Sequence, residues 1–205
     1  MTDHEESVFR AVRDAVAALP TKSPLPDYDD AVCVARPRLQ GASSWDDFAT
    51  NFSAVNGRPM TAIAELLAFL EAGGFRHGYC DPRFRMALGE PLAAAGLTVE
   101  FAFERDRYDD YAFGITRATG AIAESGTVIL DDDDTTDRLA ALCPWVHVAV
   151  LDRPDRLHRT IPEALAALGD CPNVVWATGP SKTADVEGIL IEGVHGPGQQ
   201  ICLRL

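Results

Sequence analysis

The chain has 205 residues, 47% hydrophobic and 24% charged, with 18 Lys plus Arg against 31 Asp plus Glu for a net charge of −13. A chain of this length buries roughly 70% of its unfolded surface without staples, and its balanced composition excludes disorder and fibre. The acidic excess argues against a duplex-binding surface, which needs clustered cations on phosphates, and no apolar run reaches the ~18 residues that span a bilayer.

The N-terminus, MTDHEESVFR, is acidic and lacks the basic-then-apolar order of a signal peptide, so the expected setting is cytoplasmic. Residues 4–19 place Val8, Phe9, Val12, Val16 and Leu19 on one helical face. TKSPLPDYDD then breaks the pattern with two prolines and reads as a linker. Ser44 is a candidate cap for a helix carrying Trp45, Phe48, Phe52 and Val55, closed by Asn56-Gly57. A third helix over about 60–72 holds Ile63, Leu66, Leu67 and Leu70, and Gly73-Gly74 stops it. Residues 1–74 therefore read as a helical arm or cap packed on the domain that follows.

From residue 75 to 205 the texture changes to short apolar runs between turns and helices. Candidate strands are Phe75–Cys80, Leu97–Phe103, Thr127–Leu130, Val146–Leu151, Val174–Thr178 and Ile201–Leu205, with helices at 83–95 and 161–168. This alternation predicts an α/β layered domain with a mostly parallel sheet. Asp131–Asp134 reads as a solvated turn, because its run of carboxylates lacks the loop spacing of a calcium or magnesium site.

The five cysteines, Cys33, Cys80, Cys143, Cys171 and Cys202, contain no close pair. Zinc and iron–sulfur sites usually draw on C-x-x-C pairs, so no metal site is expected. No G-x-G-x-x-G follows a strand either, and no intrinsic cofactor is expected.

Three segments carry candidate chemistry, and in α/β sheets ligands bind in loops beyond strand ends. In Gly114–Thr127, three glycines and four hydroxyls surround Thr116, Arg117, Ser125, Gly126 and Thr127, and Glu124 is either a paired structural carboxylate or a catalytic one. In Val174–Glu187 a strand reaches a Gly-Pro turn and then Ser181, Lys182, Thr183 and Asp185, which reads as the hydroxyl-rich start of a helix. Gly179, the hydroxyls and Lys182 there form either an anion site or an ordinary helix cap. Lys182 stands out because 16 of the 18 cations are Arg, with Lys22 the only other lysine. An ammonium offers a compact point charge that a planar guanidinium does not. The spacing is not that of a P-loop. The third segment sets His195 and Gly196 in Gly193-Val-His-Gly-Pro-Gly198, a tight loop able to present an imidazole to a ligand. The other histidines, His147 among them, show no partner pattern.

At these segments, GITRATGAIAESGTVIL, CPWVHVAVL and TGPSKTADVEGILIEGVHGP, the sequence resembles the LUD domain of the lactate utilization protein C family, specifically over 75–205 and more loosely before. Ala123-Glu124-Ser125-Gly126-Thr127 has Ser125 where the family usually has Thr. The resemblance implies an α/β/α sandwich related to the sugar-phosphate isomerase and CoA-transferase group. It also implies a role in oxidising L-lactate to pyruvate beside two partner proteins that carry iron–sulfur clusters; lacking cluster ligands and a dinucleotide motif of its own, the chain is expected to be a non-redox subunit of that system. The ligand expected on this subunit is a small anionic metabolite or cofactor. The alternative is a stand-alone enzyme on a phosphate- or CoA-containing substrate, as in fold relatives.

Overall fold

In a computed structural model, residues 3–19, 39–135, 137–171, 173–184 and 189–205 are described. The chain divides into two compact units, Met1–Arg36 and Pro37–Leu205. Of the first, helix α1 (Asp3–Ala17) is described, and its stripe of Val8, Phe9, Val12 and Val16 is about half exposed.

The second unit begins with α2 (Ser44–Ala54), β1 (Arg58–Met60) and α3 (Ile63–Ala72). Ser43, not Ser44, caps α2, its hydroxyl accepting the amide of Asp46 at 3.2 Å. The third helix starts at Ile63 rather than 60 because Arg58–Met60 is drawn into a sheet by the parallel strand at its side. Next come β2 (His77–Cys80), a helical stretch that passes from 3₁₀ through a π-turn (Arg85–Gly89) into α4 (Glu90–Ala94), and β3 (Thr98–Glu100). The glycine-rich segment resolves into β4 (Phe113–Arg117) and β5 (Gly120–Ile122), leading to β6 (Thr127–Asp131). After α5 (Arg138–Leu142) follow β7 (Val146–Leu151), β8 (Leu157–His158), α6 (Ile161–Ala167) and β9 (Val174–Ala177). The chain then forms β10 (Lys182–Ala184), β11 (Leu190–Glu192) and β12 (Gln199–Arg204). The expected helix start at Ser181–Thr183 is therefore a strand: Lys182–Ala184 pairs antiparallel with Leu190–Glu192, so its amides serve a hairpin instead of a helix N-terminus.

Six strands form an all-parallel central sheet in the order β1-β12-β7-β4-β2-β3. Such strands are covered on both faces and read as continuous apolar runs, as VHVAVL of β7 does. One face, with Phe113, Ile115, Val146, Val148, Val150, Ile201 and Leu203, packs with Leu66 and Leu70 of α3 and Leu88 and Leu92 of the π-turn and α4. The opposite face carries Ala149, Leu151 and Cys202, which join Phe48 and Phe52 of α2, Ala141 of α5 and a four-stranded sheet, β8-β5-β6-β9. The far side of that smaller sheet receives Ala164 of α6 on Ile122 and Ile129. The architecture is an α/β fold with a parallel central sheet and flanking helices. On the second face Gly114 is required: a Cβ there would lie 1.9 Å from the carbonyl oxygen of Ala140, so α5 approaches this strand only over glycine.

Candidate functional site

At the middle of the central sheet, its second face carries a buried polar group. Thr116, His147 and Gln200, on adjacent strands β4, β7 and β12, are 0%, 1% and 3% exposed. Parallel pairing puts His147 beside Gln200, and beside Gly114 two residues before Thr116. His147 Nε2 meets Thr116 Oγ1 at 2.9 Å, and Nδ1 meets the Gln200 amide at 2.8–3.1 Å. Burial pushes the imidazole down to about 4, with the Gln200 contact working in the other direction, so the ring is neutral at physiological pH.

His147 and Gln200 line a cleft of about 180 Å³. Leu130, Ala141, Leu142 and Ala177 supply apolar walls, and Gly179, Ser181, His195, Gly196 and Pro197 complete the lining. The backbone explains why these last residues meet. Ser181 N–H donates to Pro197 O at 2.9 Å, and Ser181 O accepts from Gly193 N–H at 2.9 Å. Trp145 lies over the glycines of the second loop, since a Cβ on Gly193 or Gly198 would stand 2.3 Å from its indole. His195 is exposed. Neither its ring nor the Ser181 hydroxyl takes a hydrogen-bond partner among the described residues.

Four of the candidate residues, Gly179, Ser181, His195 and Gly196, thus line one cleft, and Thr116 is joined to it through His147. The remaining candidates sit elsewhere. Lys182 Nζ donates to Val55 O at 3.3 Å and lies 3.6 Å from Glu192 Oε1, engaged outside the cleft. Thr183 pairs with Ile191 in the hairpin, and Asp185 lies outside the described residues. Glu124 accepts the Ile161 amide at 2.5 Å at the first turn of α6, while its own amide donates to Arg159 O at 3.1 Å. Ser125, Thr127 and Thr178 form a hydroxyl chain with contacts of 2.7 and 2.8 Å. That chain brings the Ser125–Thr127 segment alongside the strand end leading to Gly179, although the Glu124 carboxylate is turned to α6. Gly126 (φ 63°) and Gly179 (φ 77°) both rest on the end of α2, where a Cβ would lie 2.3 Å from Phe52 N and 2.1 Å from Val55 O respectively. Only glycine meets both demands there.

Arg117, at the carboxyl end of β4, belongs to a separate ionic cluster. It bonds Asp152 at 2.9 Å and Asp134 at 3.4 Å, and the Asp152 bond, resisted in part by burial, holds its guanidinium firmly protonated. Arg153 binds the other Asp134 oxygen. The Asp131–Asp134 run is thereby organised: Asp131 Oδ1 accepts the amides of Asp133 and Asp134 at 3.1 and 2.8 Å, and Arg138 holds Asp132 at 2.8 Å. No group of three His, Cys, Asp or Glu side chains converges as metal ligands among the described residues. Likewise, no helix among them is long and apolar enough to cross a membrane.

Sequence reasoning missed His147 and Gln200. The available signal was a lone imidazole inside the otherwise apolar VHVAVL, and a glutamine entering the ICL run of β12.

Comparison with known proteins locates the same region. The LUD domain profile matches residues 94–203, a span that contains every lining residue of the cleft. Lactate utilization protein C of Deinococcus radiodurans is 36% identical over 99 residues, covering 46% of this chain and 45% of that protein. Lactate utilization protein C of Halalkalibacterium halodurans is 37% identical over 129 residues, covering 57% and 56%. The chain thus aligns with about half the length of these curated relatives. In fold it is similar to the crystal structure of a DUF162 family protein from Deinococcus radiodurans, with TM-score 0.51 and 23% identity over 78% of this chain and 93% of that one.

Proposed function

Because the chain belongs to the LUD domain family, we propose that it serves L-lactate utilization, as a non-redox component acting beside partner proteins that carry iron–sulfur clusters. The cleft is its ligand site, and the ligand is a small anionic metabolite. The observation that carries this reading is that the cleft lies within the LUD domain span, residues 94–203, of a chain similar to relatives named lactate utilization protein C. Size supports a small ligand over a CoA or sugar-phosphate substrate: about 180 Å³ is below the 300–1,000 Å³ typical of cofactor and drug-sized pockets. No Lys or Arg stands among the described lining residues, which fits a single negative charge better than a phosphate. The chain's own groups would bind and orient, with a neutral His147, the Gln200 amide, the Ser181 hydroxyl and the exposed His195 as the available contacts.

The test is reconstitution. The chain is mixed with its iron–sulfur partners, and lactate-dependent dye reduction is measured with and without it. A large loss of rate on omission is expected, and an undiminished rate overturns the proposal.

A further inference from the structure

A neutral imidazole nitrogen presents either one hydrogen or one lone pair. His147 Nδ1 nevertheless faces both ends of the Gln200 amide, with Oε1 at 3.1 Å and Nε2 at 2.8 Å. It satisfies one of them, and its other nitrogen is committed to Thr116. Gln200 is 3% exposed and lines the cleft. Whichever amide end His147 leaves is therefore a buried polar group beside a cavity, and such groups are rare unless water or a ligand completes them.

The cleft also sets the polarity of its occupant. A carboxylate pushed against His147 and Gln200 would be buried without a cation, at high cost, because the imidazole there is neutral and no Lys or Arg is among the described lining residues. The cleft is also lined by the exposed His195 and by Ser181, whose hydroxyl takes no hydrogen bond among the described residues, and an ionised group beside His195 keeps contact with water. At ~30 Å³ per water-sized group, about 180 Å³ holds roughly six of them.

We propose that Gln200 is the specificity-determining residue of this cleft, taking the 2-oxygen of a small 2-hydroxy or 2-oxo carboxylic acid whose carboxylate stays beside Ser181 and His195. The identity of the acid rests on the lactate-utilization reading; the orientation rests on the Gln200 amide end that His147 leaves and on the absence of Lys and Arg from the described lining residues.

Dissociation constants of L-lactate, pyruvate and propionate are measured on the full chain by calorimetry or NMR titration. Propionate is the control, since it lacks the 2-oxygen. Lactate or pyruvate binds at least about tenfold more tightly than propionate, as one well-formed hydrogen bond allows. In Gln200→Met the preference for lactate or pyruvate over propionate falls to within about twofold. Equal binding of the three acids to the unmodified chain, no binding of any at millimolar concentration, or tighter capture of inorganic phosphate overturns the inference. These comparisons need no variant, so a misfolded Gln200→Met does not shield it. A folded Gln200→Met that keeps the preference overturns it as well. If lactate-dependent dye reduction requires the chain but the acids bind equally, this inference falls and the utilization role stands. If the preference is found but the dye reduction is indifferent to the chain, the role falls and the assignment of Gln200 stands.

Discussion

The ammonium of Lys182 reaches the carbonyl oxygen of Val55, 127 positions earlier in the chain, at 3.3 Å. Val55 is the C-cap of α2, so the lone lysine of this loop closes a helix end and meets Glu192 on the paired strand. A cation suits that place, because the last carbonyls of a helix carry partial negative charge. With the ammonium partly exposed, Lys182→Ala costs about 0.2–1 kcal/mol in urea denaturation. It leaves the affinity for small acids within about twofold. A loss of one or more decades in affinity with unchanged stability would show instead that Lys182 anchors the ligand.

Glu124 invites a sharper discrimination. Its carboxylate accepts the Ile161 amide at the start of α6, a service that a glutamine carbonyl performs equally well. Glu124→Gln keeps stability within about 0.5 kcal/mol and keeps lactate-dependent dye reduction, whereas Glu124→Ala costs about 1 kcal/mol through an unpaired helix amide. A nucleophile or general base does not tolerate the amide. Abolished turnover in a stable Glu124→Gln protein would restore the catalytic reading.

His147 makes stability depend on pH. Its folded value of about 4 lies below the ordinary 6.5, so between those limits the unfolded chain binds a proton that the folded chain refuses. The penalty is absent above about pH 6.5, grows as pH falls, and levels near pH 4 at roughly 3 kcal/mol. The stability difference between the unmodified chain and His147→Gln, measured by urea midpoints, should therefore shift by about 2 kcal/mol in the variant's favour between pH 7 and pH 5. A difference that does not move with pH would mean that the ring titrates normally and is not sealed in the sheet.

Much of the architecture was readable because it depends on local pattern. The α2 stripe of Phe48 and Phe52 is buried as its spacing predicts, and VHVAVL is a strand covered on both faces. What escaped was set by distant neighbours. The segment FGITR hides β4 because Gly114 answers to the Ala140 carbonyl, and no local propensity records that demand. Lys182–Ala184 reads as a helix start until Leu190–Glu192 is laid beside it. In the site, His147 looked solitary because its partners lie 31 residues before and 53 after it. Parallel sheets pair such remote positions as a rule, and one sequence shows the histidine without its company.

The place of β12 bears on how the molecule is made. This strand, the last in chain order, is inserted between β1 and β7, and β1 begins 141 positions before β12 does. A ribosome emitting the chain has delivered every other strand of the central sheet before the one that joins β1 to the rest. Until then β1 and β7 each offer an open edge, a template for pairing with another chain, and half of the His147–Gln200 contact does not exist. Contacts this remote in sequence form slowly, so the cleft lined by Gln200 is among the last features of the sheet to close.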